Sequence, residues 1–242
     1  MQEIKIAKES FLKNFMIPLS RITDRAKVKL SNDKVSVIIF NDKANYLFFS
    51  TCELEEKIPS DIVWDIPSVI RLIKLLGCID EDIITFKYDN NHIKYDSGNI
   101  RFKYHFLAEG IIKNLPVPKN FDSMVYDISI PTSKDILTDI IKVSTFANFD
   151  VNKCYFTFKP DGVYVKIVDY NQPGTDESEI KISNYIPSTI PNDIAFKFEM
   201  LKDFKGVNCD DLRINITTTD KIIRFDAING KNTYQFISSI LK

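Results

Sequence analysis

Residues 8–52 read KESFLKNFMIPLSRITDRAKVKLSNDKVSVIIFNDKANYLFFSTC, and this stretch decides the architecture. Phe11, Leu12, Phe15, Met16 and Leu19 recur at helical spacing and form one apolar stripe, so a helix is expected from Lys8 to about Arg21. Behind it, Ala26/Val28/Leu30 and Val35/Val37/Ile39 alternate with mostly polar residues around the turn Ser31-Asn32-Asp33. That alternation marks half-buried antiparallel strands at 26–30 and 35–40, with a third at 46–52. One helix followed by three hairpin-linked strands is the unit.

The unit recurs along the chain, with further helices beginning near Ile66, Ser133 and Met200. Turns at Asp89-Asn90-Asn91, Pro160-Asp161-Gly162 and Thr219-Asp220 break the strands behind them. A short strand precedes each helix: 3–6, 61–64, 125–130 and 194–198. In the second helix Pro67 is expected in the first turn and Gly77 at the end, the usual asymmetry of helix termini. In the third, Thr132 or Ser133 opens the helix, with Asp135 placed for a capping box. Repetition of this kind governs the whole fold rather than one element. Units one and three carry the longer helices, so the higher-order repeat is a pair of pairs. Its seam is the Pro-containing, aperiodic stretch 108–123. The expected division is a domain at 1–107, a connector at 108–123 and a second domain at 124–242.

Apolar residues make up 44% of the 242, with 18 Phe and 10 Tyr, enough for a substantial core. Lys and Arg total 32 against 33 Asp and Glu, a net charge of −1, which argues against a protein that holds nucleic acid by bulk attraction. The first residues lack the apolar run of a signal peptide. The stretch 66–76 is interrupted by Arg71 and Lys74, so no segment reaches the roughly 20 apolar residues that span a bilayer. A soluble protein with no membrane partner is expected, in the cytoplasm or, if phage-encoded, in that of the host. Cys52, Cys78, Cys154 and Cys209 are scattered without a C-x-x-C pair, and His92 and His105 are the only histidines. No metal site or cofactor is expected, and the thiols read as small buried apolar groups.

The exposed helix faces carry the recurring signal. Helix one leaves Ser10, Lys13 and Arg21 opposite its stripe. Helix two turns Val69, Ile70, Ile73 and Leu76 inward and Arg71 and Lys74 outward. Helix three buries Ile136, Leu137, Ile140 and Val143, leaving Thr138, Asp139, Lys142 and Thr145 outside. Helix four buries Leu201, Phe204 and Val207 but not Lys202 or Lys205. Charged side chains on exposed faces serve solubility in any protein. Their recurrence in four equivalent helices, in a chain without net positive charge, is consistent with a diffuse basic lining for DNA phosphates. Such contacts position a protein without reading sequence.

Two domains of paired strand–helix–three-strand units joined by an extended connector resemble the sliding DNA clamps. The resemblance is to the two-domain type: the processivity factors of tailed phages and the proliferating cell nuclear antigen group. Phe11-Leu12-Lys13-Asn14-Phe15 looks especially like the phage members. The likeness is one of architecture and spacing over the whole chain, with no short diagnostic motif.

It implies an α+β DNA-clamp fold of two similar domains, each of two β-α-β-β-β units, with antiparallel sheets outside and helices on one inner face. It further implies a ring-shaped homotrimer that encircles duplex DNA independently of sequence and tethers the replicative DNA polymerase, conferring processivity, with a clamp loader as a further partner. Lys13, Arg21, Arg71, Lys74, Lys142, Lys202 and Lys205 would then face DNA. Head-to-tail joining would use the strands bearing Ile100, Phe102, Tyr104 and Phe106 on one side and Ile180, Ile182 and Tyr185 on the other, because an unpaired edge invites another chain and a closing heterologous interface makes a ring. A partner-peptide pocket is expected near the connector and C-terminus, at Ile112, Leu115, Val117, Ile190, Ile237, Ile240 and Leu241.

Enzymatic readings fare badly. No G-x-S-x-G, H-E-x-x-H, Walker loop or dinucleotide fingerprint is present. The acidic clusters Asp80-Glu81-Asp82 and Asp210-Asp211 fall in turns before strands, where such residues are ordinarily solvated turn formers. No catalytic residue is assigned. A monomeric clamp-fold DNA-binding factor without ring closure is the alternative, but it would demand a strongly cationic surface that the charge balance does not supply.

Overall fold

Among the described residues of the computed structural model, sixteen β-strands are interspersed with four short helical regions. The structure describes residues 2–58, 61–113, 115, 124–171, 174, 176–188 and 191–241. The chain divides into two compact units. The first comprises residues 1–121 and 229–234, the second 122–228 and 235–242.

In the first unit β1 (Gln2–Ala7) leads into a π-helix, Glu9–Met16, which continues as α1 (Ile17–Ile22). Then come β2 (Ala26–Ser31), β3 (Lys34–Phe40), β4 (Leu47–Glu53), β5 (Ile62–Ile66), α2 (Val69–Gly77), β6 (Ile83–Tyr88), β7 (His92–Ser97) and β8 (Ile100–His105). These strands form two antiparallel arrays, in the orders β1-β6-β7-β8 and β5-β2-β3-β4. The alternation at 26–40 does what its period demands. Ala26, Val28, Leu30, Val35 and Val37 are buried, while Lys29 and Lys34 are exposed.

The second unit repeats the plan. It contains β9 (Ile128–Thr132), α3 (Lys134–Ser144), β10 (Lys153–Lys159), β11 (Gly162–Ile167), β12 (Ser178–Ser183), β13 (Ile194–Lys197) and α4 (Phe198–Phe204). β14 (Asp211–Thr217), β15 (Ile222–Asn229) and β16 (Asn232–Ser239) complete it. The strand orders are β12-β11-β10-β13 and β16-β15-β14-β9. Phe156 stacks on Phe196 at 4.3 Å between centroids, and Phe204 meets Phe225 and Phe236 edge-on, so an aromatic cluster fills this core.

Several local expectations are corrected. The first helix is not α-helical throughout, because Pro18 interrupts its ladder. In an α-helix the Asn14 carbonyl would accept from residue 18, which has no N–H and whose ring presses on that carbonyl. The chain widens ahead of it instead, and the Ile17 N–H donates to the Leu12 carbonyl five residues back. Pro67 lies outside α2. Ser68 is the N-cap, its hydroxyl accepting from the Arg71 N–H at 3.2 Å. Ile70, expected inside, is 46% exposed, and Leu72 is fully buried in its place, giving the seam Val69, Leu72, Leu76. In α3 only Leu137 and Ile140 are buried, with Ile136 and Val143 half-buried, and Ser133 is the cap. The strand expected at 125–130 runs Ile128–Thr132 instead, leaving Val125 80% exposed.

Residues 229–234, at the tip of the β15–β16 hairpin, group with the first unit although the sequence places them in the second half. Buried Tyr234 donates its hydroxyl to the Asn14 carbonyl, and buried Asn232 donates Nδ2 to the Ser10 carbonyl at 3.2 Å. Thr51 and Thr233 share a hydrogen bond of 2.7 Å between their hydroxyls. The carbonyl that Pro18 strands is thus served by a tyrosine some two hundred residues away.

Candidate functional site

All seven cations expected on the helices lie at exposed positions. In the first unit the π-helix and α1 pack against α2, which brings Lys13 and Arg21 onto helices neighbouring Arg71 and Lys74. In the second, α3 packs against α4, the helices of Lys142, Lys202 and Lys205. Two of the seven carry exposed intrahelical pairs, Lys13 with Glu9 at 3.2 Å and Lys142 with Asp139 at 2.8 Å. The bond to Asp139 raises the Lys142 ammonium above its ordinary value. Ion pairs between exposed groups are weak and screened by solvent, too weak to keep the ammonium groups from a phosphate. Arg71 sets its guanidinium carbon over the Tyr104 ring at 5.3 Å and Lys202 its ammonium nitrogen over the Phe198 ring at 4.8 Å, so both cationic heads lie against an aromatic face.

Leu115 lines a cleft of about 240 Å3 on the first unit, together with Ile38, Phe49 and Val63. These apolar groups sit on the faces of β3, β4 and β5 opposite the core residues Val35, Val37, Phe48 and Trp64. Lys27, Lys29 and Lys113 rim it. Lys27 pairs with buried Asp65 at 3.6 Å and Lys29 with Asp61 at 2.9 Å. The Ser31 hydroxyl, donating at 2.5 Å, and then Lys29 hold the Asp61 carboxyl below the usual carboxylate value.

The other expected pocket residues are not gathered there. Ile112 is half-buried in the turn after β8. Ile237, Ile240 and Leu241 are half-buried on the second unit, where the Ile240 N–H donates to the Lys221 carbonyl at 2.7 Å and the Leu241 N–H to that of Ala195 at 2.9 Å. Val117 and Ile190 lie outside the described residues.

Both strands expected to join subunits are sheet edges: among the described strands β8 pairs only with β7, and β12 only with β11. Their side chains divide between edge and core. Ile100, Phe102, Phe106, Ile180 and Tyr185 are half-buried. Tyr104 is fully buried, its hydroxyl donating to the Ser68 carbonyl at 2.6 Å and accepting from the Ser68 N–H at 3.1 Å, so it anchors α2 rather than facing outward. Ile182 is 1% exposed and belongs to the core of its own unit. Phe106 lies past the end of β8 and stacks on Trp64 at 5.4 Å.

The sequence matches no family model and no curated protein sequence. Solved structures do match. PCNA of A. fulgidus, in complex with the C-terminal region of FEN-1, aligns with a TM-score of 0.77 at 12% identity, covering 100% of this chain and 99% of that one. PCNA of Entamoeba histolytica aligns with a TM-score of 0.75 at 14% identity, covering 99% and 98%. The fold is that of the PCNA sliding clamps.

Within this clamp fold, no described helix is long and apolar enough to cross a membrane, and no group of three or more His, Cys, Asp or Glu among the described residues is arranged to hold a metal ion. The acidic turn at 80–82 is more than solvated: Glu81 accepts from the hydroxyls of Tyr95 at 2.6 Å and Ser97 at 2.5 Å. These bonds, that of Ser97 foremost, hold its carboxyl below the ordinary value. Of the four free thiols, Cys52 and Cys154 are buried as expected, but Cys78 is exposed and Cys209 partly so. Apart from Leu115, sequence reasoning missed the cleft lining. Its signal was present: Ile38, Phe49 and Val63 are apolar at positions where alternation calls for polar ones.

Proposed function

We propose that this chain is the subunit of a ring-shaped sliding clamp that encircles duplex DNA and tethers a DNA polymerase to its template. The observation that carries the reading is the clamp fold together with an exposed Lys or Arg on every one of its four helical regions. A chain with net charge −1 has no bulk attraction for DNA. Topological linkage removes the need for it, since sparse cations suffice to guide sliding over phosphates. The role is that of a scaffold rather than an enzyme. A polymerase held beside the primer end is kept there by raised effective concentration, and a clamp loader opens the ring for entry. The cleft at Leu115, apolar in its floor and next to the connector, suits a short peptide from such partners, and the A. fulgidus PCNA is itself found with the C-terminal region of FEN-1 bound.

The reading predicts a mass near three chains by light scattering, with a concentration series to catch dissociation. A constant mass of one 28.0 kDa chain refutes ring closure and favours a monomeric factor. Reversing Lys13, Arg71, Lys142 and Lys202 together to Glu should impair processive synthesis on a primed circle while leaving the fold intact. Unchanged synthesis removes these residues from the DNA-facing surface.

A further inference from the structure

The sheet β1-β6-β7-β8 buries one of its faces: Ile4, Ile84, Phe86, Ile93 and Tyr104 alternate into the core. The opposite face carries charge. Lys87 on β6 stands opposite Lys94 on β7, and Lys94 opposite Lys103 on β8, so three lysines form one row across three strands. Arg101 and His105 lie two residues to either side of Lys103 on the same face, and both are exposed. Like charges directly opposite one another destabilise a sheet. Glu3 and Asp96 lie at the margins of the patch, paired with Lys87 at 3.8 Å and with Arg101 at 2.8 Å. Asp89 acts on Lys103 from a distance, but its carboxylate already accepts from the Asn91 N–H at 2.9 Å and meets the His92 ring at 2.9 Å. Among the described residues Lys94 and Lys103 have no direct ion pair. In a chain of net charge −1, this is a local concentration of cations that costs the fold stability and holds nothing together.

The chemistry of the face decides what can cover it. A docked peptide draws its affinity from apolar or aromatic anchors seated in pockets. Around the row the outward positions are Thr85, Asp96, Arg101 and His105, none of them an aliphatic anchor, and exposed Ile83 lies at the far end of β6 opposite Ala7. Phosphates need no pocket: lysines bind them as point charges and release counterions in doing so. Strands about 4.8 Å apart set the outer two lysines about 10 Å apart. A nucleic-acid strand carries one charge per about 3.4 Å of axis, so the row meets about three phosphates.

We infer that this face binds the phosphate backbone of a nucleic-acid strand, independently of sequence and apart from the helix-borne cations. The inference goes beyond the ring reading and needs a different surface. Pairing of the β8 edge with another chain would leave the face open, because edge pairing engages backbone groups while side chains stand perpendicular to the sheet.

The test uses the full chain and a labelled oligothymidylate of about 12 nucleotides, with binding read by fluorescence anisotropy across a salt series. Each phosphate contact on a single strand contributes about 0.7 to the slope of log K against log salt. Lys87→Gln, Lys94→Gln and Lys103→Gln together should therefore lower that slope by about 2 and weaken binding at about 50 mM salt at least about tenfold. A fall below about 0.7, less than one contact, overturns the proposal. Binding that survives these changes but vanishes with Lys13→Gln, Arg71→Gln, Lys142→Gln and Lys202→Gln belongs to the helices and overturns it as well. Polyglutamate that competes as strongly as unlabelled oligonucleotide assigns the face to an acidic polypeptide, which is the contrary result. Lys94→Gln alone should raise the urea midpoint, because the central lysine is repelled from both sides; a lowered midpoint makes the row structural and overturns its role as a site. Should the triple variant misfold, this single change still reads out as a slope loss of about 0.7. Failure here leaves the ring reading standing, since that is tested by mass and by processive synthesis with the helix variants.

Discussion

Tyr234→Phe isolates one bond on which the first helix depends. The ring stays, so no cavity forms; what disappears is the hydroxyl that donates to the Asn14 carbonyl. Pro18 lies four residues on and has no N–H to offer that carbonyl. A partly buried acceptor left without a donor costs about 1–3 kcal/mol. At about 2.1 cal/mol/K of unfolding entropy per residue, a 242-residue chain loses about 2 °C of Tm for each kcal/mol, so a fall of about 2–6 °C is expected. Urea titration should give a lower midpoint at unchanged slope. The decisive comparison is the same change in a Pro18→Ala background, where residue 18 regains an amide that can donate to Asn14. There the cost should drop below about 0.5 kcal/mol, because helix and tyrosine then compete for one acceptor. A Tyr234→Phe cost within about 0.3 kcal/mol of zero, or an equal cost in both backgrounds, would refute the reasoning.

Further expectations concern backbone strain, titration and thiols. Gly162 has φ +147°, and a Cβ there would sit 2.3 Å from the Ser183 carbonyl oxygen, so Gly162→Ala should destabilise by more than about 1 kcal/mol, read as a lowered urea midpoint; an unchanged midpoint contradicts it. Asp127 accepts from the Thr218 N–H and hydroxyl, each at 2.8 Å, and these bonds hold its carboxyl below the ordinary value. Because the folded pKa is the lower one, the contribution is complete above the unfolded value of about 3.9 and is lost as pH falls through the folded one. The urea midpoint of Asp127→Asn should therefore trail wild type at pH 7, and the gap should close as pH drops below about 4; a gap that does not change with pH counts against the account. Burial pushes the Cys52 thiol up to about 12 and that of Cys154 up as well, and the thiolate is the reactive form. An aromatic disulfide reagent at pH 8 should titrate Cys78 first and Cys209 more slowly, with the other two reacting only after unfolding; prompt reaction of four thiols would be the contrary result.

Period alone determined much of this protein. Alternation at 26–40 requires an antiparallel sheet with Val28, Leu30, Val35 and Val37 inside, because successive strand residues point to opposite faces. The helical stripe Phe11, Leu12, Phe15, Met16, Leu19 requires a buried face, and the recurrence of a helix with strands behind it gives the repeated unit on which the resemblance to the clamps rests. Lys13, Arg71, Lys142 and Lys202 could be placed at exposed positions for the same reason: a local period fixes which side of an element faces water. What period cannot state is which distant segment completes a local defect. Pro18 announces a stranded carbonyl but not that Tyr234 serves it. Tyr104 alternates like an edge residue, yet its hydroxyl reaches Ser68 and carries it into the core. Lys87 on β6, Lys94 on β7 and Lys103 on β8 stand opposite one another, in a register that no single strand encodes. Those outcomes belong to tertiary structure, because hydrogen bonds and like-charge repulsion act over a few ångströms of space, whatever the separation along the chain.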